Sequence, residues 1–276
     1  MKHLILGSSG QIGGHLTEFL SAQREEVIKY DIVIHPSEDL RIHNSHHLLM
    51  RMKEADFVHF LAFDVGGSAY MKKYQDTHEF IDNNLALMRN TFSALKETGK
   101  PFIFASSQMS NMTHSTYGLC KAVGEAATRS LNGVVVKFWN VYGKEDESSE
   151  KTHVITDFIT KARDEKKIKM RTDGEEERQF LYADDCSECL LALSKKYDKI
   201  DRSKNLHITN FEWTKIKKIA EHVANNFKGT KIIPGKSVDN IQRGIKNEPD
   251  PYVLKFWKPK TTINNGIKKV CNAVCK

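Results

Sequence analysis

Short apolar runs and longer amphipathic stretches take turns along the first half of this chain. Residues 2–6 read as a strand that runs into Gly7-Ser-Ser-Gly10-Gln11-Ile12-Gly13, after which His15–Leu20 has a helical pattern. Val27–Tyr30 is a second strand closed by Asp31. A short polar helix over roughly 44–54 then leads to Asp56–Ala62, whose continuous apolar character suits a strand buried on both faces. Residues 77–98 place Phe80, Leu85, Leu87, Met88, Phe92 and Leu95 at helical spacing and stop at Gly99 and Pro101. Phe102–Ala105 is a buried strand ending in Ser106 and Ser107, followed by a helix over 116–131 and the strand Val134–Phe138. This alternation predicts an α/β fold, a Rossmann-type doubly wound parallel sheet.

The pattern changes after Gly143. Lys144–Lys151 is a charged loop and Val154–Ala162 a helix. Arg178–Asp185 is a short strand with an acidic helix start that runs into Cys186, and Leu206–Thr209 precedes an amphipathic helix near 214–227. The expected division is a dinucleotide-binding core over 1–143, rejoined by some later segments, and a smaller C-terminal α/β substrate-binding cap over 144–276.

Composition narrows the class. The chain has 276 residues, 39% of them hydrophobic, enough for a sizeable core. No apolar run approaches the ~18 residues a membrane span needs, and the N-terminus enters a strand and a glycine turn rather than a signal-peptide pattern. Five cysteines, an odd number, lead us to expect reduced thiols and a cytoplasmic setting. The net charge of +7 comes from lysines interleaved with acids and without a nucleic-acid-binding motif, so no nucleic-acid partner is expected. Cys186-x-x-Cys189 and Cys271-x-x-x-Cys275 lie far apart in helical patterns, and His43, His46 and His47 sit on a polar segment, so no metal site is expected.

The candidate chemistry lies at the carboxyl ends of the strands, where open α/β sheets take their ligands. Gly7, Gly10 and Gly13, with Gln11 and Ile12 between them, form a turn from strand to helix that can bring backbone N–H groups and a helix N-terminus against a pyrophosphate. Asp31, eighteen residues after Gly13, is placed to bind the adenosine ribose hydroxyls and to repel a 2′-phosphate, which implies NAD rather than NADP. Only seven residues separate Asp31 from Asp39, too few for a crossover helix and another full strand, so this corner is abbreviated, with Asp39 and Leu40 left near the adenine. Phe63, Ser106 and Phe138, also at strand ends, join the cofactor-facing set. Gly66 and Gly67 offer either a close approach of substrate to the backbone or a turn. Ser107 at a strand end and the pair Tyr117 and Lys121, four residues apart on one helix face, suit proton transfer at a carbon–oxygen bond, with the lysine charge favouring phenolate.

Together the glycine loop, Asp31, Ser107 and Tyr117-x-x-x-Lys121 resemble the extended short-chain dehydrogenase/reductase family, in its nucleotide-sugar epimerase and dehydratase branch, over nearly the whole chain. Leu61-Ala62 resembles that family's cofactor-contacting strand end, and Asn83-Asn84 its Asn-containing helix, with Asn84 assigned to the cofactor. Phe138-Trp139-Asn140-Val141-Tyr142-Gly143 looks like the element whose Asn binds substrate, and Arg178–Asp185 the one whose Arg grips a nucleotide diphosphate. Trp257–Gly266 is similar to the C-terminal signature. The resemblance implies Tyr117 as acid/base, Lys121 as the residue that orients the nicotinamide ribose and lowers the tyrosine pKa, and Ser107 as the holder of the sugar oxygen.

Two departures matter. Only nine residues lie between Ser107 and Tyr117, where the family usually has a much longer segment. Gln108 and Met109 stand where the 4,6-dehydratases carry Asp-Glu, the decarboxylases a Glu, and the GDP-mannose 3,5-epimerases and GDP-fucose synthases a Cys, although Val65-Gly66-Gly67 resembles an element of those two GDP-sugar groups. The reading is therefore an NAD-dependent epimerase acting on a nucleotide-diphosphate sugar by transient oxidation and re-reduction. Alternatives are a dehydrogenase or keto-sugar reductase of the same family and, from another class, a non-catalytic dinucleotide sensor. Family members often pair through the helices corresponding to 77–98 and 116–131, and Leu87 and Leu119 are expected to face a partner in a homodimer.

Overall fold

The computed structural model describes residues 1–112, 114–237 and 247–274. Its first half alternates as expected: β1 (Lys2–Leu6), α1 (Gln11–Ala22), β2 (Glu26–Tyr30), α2 (His46–Glu54), β3 (Phe57–Phe60), α3 (Ser68–Tyr74), α4 (His78–Thr98), β4 (Phe102–Ser107), α5 (Thr116–Ser130) and β5 (Val134–Phe138). There follow β6 (Asn140–Tyr142), α6 (Val154–Glu165), β7 (Lys167–Lys169), β8 (Glu177–Tyr182), α7 (Ala183–Lys195), β9 (Leu206–Ile208), β10 (Trp213–Lys215), α8 (Ile216–Ala224), β11 (Lys231–Ile233) and α9 (Ile263–Val274). Six strands form one parallel sheet in the order β2-β1-β3-β4-β5-β9. Among the described residues, no strand lies beyond β2. The short link after Asp31 folds instead into a 3-10 turn, Pro36–Glu38, so β2 is the sheet edge.

The two-residue period of the strands sorts their side chains onto two helical layers. Ile5, Ile103, Val134 and Val136 pack with Leu16 and Leu20 of α1 and Cys189, Leu190 and Leu193 of α7. Leu4, Leu6, Val58, Phe60, Phe102 and Phe104 pack on the other face with Leu48 and Met52 of α2, Met88, Phe92 and Leu95 of α4 and Cys120 of α5. Each such side chain contributes ~1.5–3 kcal/mol of burial, which is why alternation predicted these strands well. Thr77 caps α4 by accepting from the Phe80 N–H, and Gly99 closes it at φ 62°.

Two segments beyond Gly143, α7 and β9, belong to this sheet and its layers. The remaining C-terminal elements build a separate apolar cluster from Tyr142, Phe158, Ile159, Ile168, Phe180, Ile219 and Ile267, around a three-stranded sheet β10-β8-β6 and the pair β11-β7. Leu87 turns inward and is buried, so it cannot face a partner. The outer surface of the α4–α5 pair carries Leu85, Leu119 and Val123 instead, at 42%, 47% and 55% exposure.

Candidate functional site

One large cleft runs along the carboxyl ends of the parallel strands and between them and the C-terminal cluster. At one end the glycine loop makes a narrow passage. Gly7 has φ +87°, and a Cβ there would lie 2.8 Å from the Ala62 backbone; a Cβ on Gly13 would lie 2.0 Å from the Gly7 carbonyl oxygen. Gly10 precedes α1 without a side-chain cap, so the first-turn N–H groups of that helix are left for a ligand, and Gln11, Ile12 and Gly13 line the cleft beside it.

Asp31 sits where β2 ends. Its Oδ2 accepts from the Ser9 N–H at 2.9 Å and its Oδ1 from the Val33 N–H at 3.0 Å, which fixes the carboxylate against the glycine loop with lone pairs still open. A glycine cradle, an open helix N-terminus and a fixed acid together fit a dinucleotide. Asp39 and Leu40 line the same end, and Asp39 forks with Arg41 at 2.8–3.1 Å. Burial pushes the Asp39 carboxyl up, but the Arg41 bonds outweigh it and hold it below the usual carboxylate range.

Ser107, Tyr117 and Lys121 come together in mid-cleft. The nine-residue link is short enough because Gln108–Asn111 forms a 3-10 turn directly under the start of α5. A Cβ on Gly118 would lie 2.3 Å from the Met109 carbonyl oxygen, so that glycine permits the contact. The Ser107 hydroxyl accepts from the Met109 N–H at 3.1 Å and lies within hydrogen-bonding reach of the Tyr117 phenol. Lys121 is buried; its Nζ donates to the Ala105 carbonyl at 2.6 Å and lies 3.5 Å from the Phe63 ring centroid, against 5.7 Å from that of Tyr117. The expected lowering of the phenol is therefore absent in the protein alone. Burial pushes Tyr117 up to about 12, with the Ser107 bond pulling the other way, and the same cause pushes Lys121 down to about 7.

Leu61, Ala62, Phe63, Ser106 and Phe138 all line the cleft. Asn84 does not. It is buried, with its side chain bonded to the Asp64 N–H at 2.8 Å and the Phe80 carbonyl at 2.9 Å, while Asn83 lines the cleft and accepts from Arg41. Gly66 and Gly67 also line it, but their lack of a side chain serves chain packing: a Cβ on Gly67 would lie 2.2 Å from the Thr152 carbonyl oxygen, and the Gly67 N–H donates to the Lys151 carbonyl. Asn140 lines the cleft and ties β6 to β8 through the Gln179 carbonyl at 2.9 Å; Arg178 lines it from β8, its guanidinium pKa lowered by burial. Cys186 and Cys189 are core residues whose thiols burial pushes up, and Cys275 lies outside the described residues.

Ion pairs in the cleft escaped the sequence reading, because charged residues in a loop read as solvated. Lys151 reaches Asp64 at 2.9 Å, and His153 Nδ1 meets the Glu145 carboxylate. Burial raises both carboxyls, but their hydrogen bonds outweigh it and leave them below the usual range. The signal available was the position of Asp64, directly beyond the end of a buried strand.

Residues 3–209 match the sequence model of the NAD dependent epimerase/dehydratase family. A UDP-N-acetyl-alpha-D-glucosaminuronate decarboxylase of Bacillus cytotoxicus is 25% identical over 68% of this chain and 70% of its own. A GDP-L-colitose synthase of Yersinia pseudotuberculosis is 20% identical over 98% of this chain and 97% of its own. Among solved structures, a UDP-glucose 4-epimerase of Thermotoga maritima determined with UDP-glucose superposes with a TM-score of 0.80 at 16% identity, covering 100% of this chain and 99% of that one, a likeness of fold. With three quarters of its length matched in order and the glycine cradle, the strand-end acid and the six-stranded parallel sheet all present, the chain belongs to the NAD-dependent epimerase/dehydratase family and takes NAD as its cofactor.

Proposed function

We propose that this protein is an epimerase of nucleotide-diphosphate sugars that works by transient oxidation of a sugar hydroxyl and re-reduction on the other face. The observation that carries this reading is the convergence of Ser107, Tyr117 and Lys121 in the cleft that also holds the glycine cradle. The N-terminus of α1 and Asp31 hold the cofactor's pyrophosphate and ribose. Bound NAD supplies the hydride acceptor and donor. Tyr117 rests as a phenol and first gives its proton to solvent; the phenolate then takes the sugar hydroxyl proton during oxidation, and the phenol so formed returns it during reduction, while Ser107 holds the reacting oxygen. Lys121 steadies the charge on the phenol as the proton moves. Asn140 and Arg178 face the substrate, with the Arg178 guanidinium suited to a diphosphate. Met109 offers no proton to a sugar carbon, which argues against the dehydratase and decarboxylase chemistries.

The second reading is a one-way keto-sugar reductase or dehydrogenase with the same three residues. It is favoured by the match of the colitose synthase along almost the full length of both chains. Incubation with UDP-, GDP-, dTDP- and CDP-sugars and a trace of NAD, followed by NMR of the products, tests the proposal. An isomer formed without net NADH supports the epimerase. Stoichiometric NADH formation, or turnover only of a keto-sugar with added NADH, supports the second reading, and no turnover with any member of the panel would overturn both.

A further inference from the structure

The abbreviated corner places a second acid beside Asp31. The chain leaves β2, turns back through the Ile34 and His35 N–H groups onto the Asp31 carbonyl, and enters the 3-10 turn that ends at Glu38. That turn brings the Glu38 side chain back to its starting point, where Oε2 accepts the Asp31 backbone N–H at 2.9 Å. Glu38 is only 6% exposed, yet it lines the cleft, and among the described residues no cation pairs with it. Among the described residues, the one nearby cation lining this end, Arg41, is already held by Asp39 at 2.8–3.1 Å and by Asn83 at 2.8 Å. The ribose end of the cofactor cleft therefore carries three carboxylates and one guanidinium that is already paired with one of them.

We infer that Glu38 is a specificity-determining residue for the cofactor. Through its backbone bond it positions Asp31 for the ribose hydroxyls, and with its own charge it excludes a 2′-phosphate independently of Asp31. A 2′-phosphate brings nearly two negative charges at neutral pH. Two fixed carboxylates in a partly water-excluded corner repel it more than one, and among the described residues the cation lining this end is already paired with Asp39. Removal of Asp31 alone therefore leaves the preference for NAD largely in place.

The test is calorimetric binding of NAD⁺ and NADP⁺ to nucleotide-free protein, which needs no substrate and no turnover. Glu38→Gln keeps an acceptor for the Asp31 N–H and removes only the charge. It should tighten NADP⁺ by about tenfold and change NAD⁺ by less than about threefold. Asp31→Asn should still bind NADP⁺ about tenfold more weakly than the double variant Asp31→Asn/Glu38→Gln. If Gln disturbs the turn, Glu38→Ala serves. It should tighten NADP⁺ while weakening NAD⁺, opposite changes that loss of structure does not produce. NADP⁺ affinity unchanged in Glu38→Gln, with the double variant equal to Asp31→Asn, would overturn the inference.

Discussion

Lys121 should destabilise the fold that it serves. Lys121 is 3% exposed, and among the described residues no carboxylate is bonded to its ammonium; its partners are the Ala105 carbonyl and the face of Phe63. Burial takes its pKa from 10.5 to about 7, and this interval corresponds to roughly 5 kcal/mol against the charged folded form. Lys121→Met removes that cost. It also removes a cation–π contact worth about 2 kcal/mol and a charge-assisted hydrogen bond worth about 1 kcal/mol net. The variant should then be about 2 kcal/mol more stable at pH 6, a rise in Tm of about 4–8 °C for a chain of this size. The folded pKa lies below the unfolded one, so between pH 7 and pH 10.5 the unfolded chain holds a proton the folded chain has released. Stability of the unsubstituted protein therefore rises with pH across that window, and the advantage of the variant shrinks as it does. Thermal melts of both proteins at pH 6, 7.5 and 9 read this directly. A variant less stable at pH 6, or a difference independent of pH, would refute the reasoning.

Tyr117→Phe should keep the fold and NAD binding and lose turnover by about 10²–10⁴, which a melting curve, a binding titration and a product assay check together; full activity in a stable variant would end the role given to Tyr117. Ser107→Ala should cost less than Tyr117→Phe in the same assay, because water partly replaces a hydroxyl that only positions an oxygen. The exposed Leu119 and Val123 on α5, beside Leu85 on α4, support a homodimer through these helices. Light scattering at micromolar concentration should give twice the chain mass for the native protein and the chain mass for Leu119→Glu/Val123→Glu; a native monomer would sink that assembly.

Most core strands and the main helices were legible because burial leaves an apolar signal over four residues or more. The strands β6, β7, β10 and β11 have three residues each, too few for a period to show. Misplaced side chains on correctly placed helices have a different origin. One step along a helix turns the side chain by about 100°, so Asn84 and Asn83 point to different surroundings, and Leu87 turns to the core where Leu85 faces outward. Spacing put Tyr117 and Lys121 on one face, but the direction of the ammonium depends on Phe63 and Ala105, which lie more than fifteen residues away. Glu38 was beyond sequence reasoning for the same reason: the length of the link showed that a strand was missing, not where the shortened chain would return.

Burial acts on the central pair in one sense. It pushes Tyr117 up to about 12 and Lys121 down to about 7, so each is driven toward its uncharged form. The full charges lie one layer below, where Lys137 meets Glu125 at 3.2 Å and bonds Ser110 at 2.9 Å, while Ser106 donates to Glu125 at 2.6 Å. That buried pair has hydrogen-bond partners on both sides, the condition under which a desolvated ion pair is tolerated rather than disruptive. It ties α5 and β5 to the residue next to Ser107, and so fixes the strand end from beneath. An oxidation followed by its reversal needs a proton to leave and return at similar cost. A phenol that starts protonated is ready to give a proton in the reduction and must lose one to solvent before the oxidation, and a lysine whose pKa lies near neutrality leaves both forms of Tyr117 within reach.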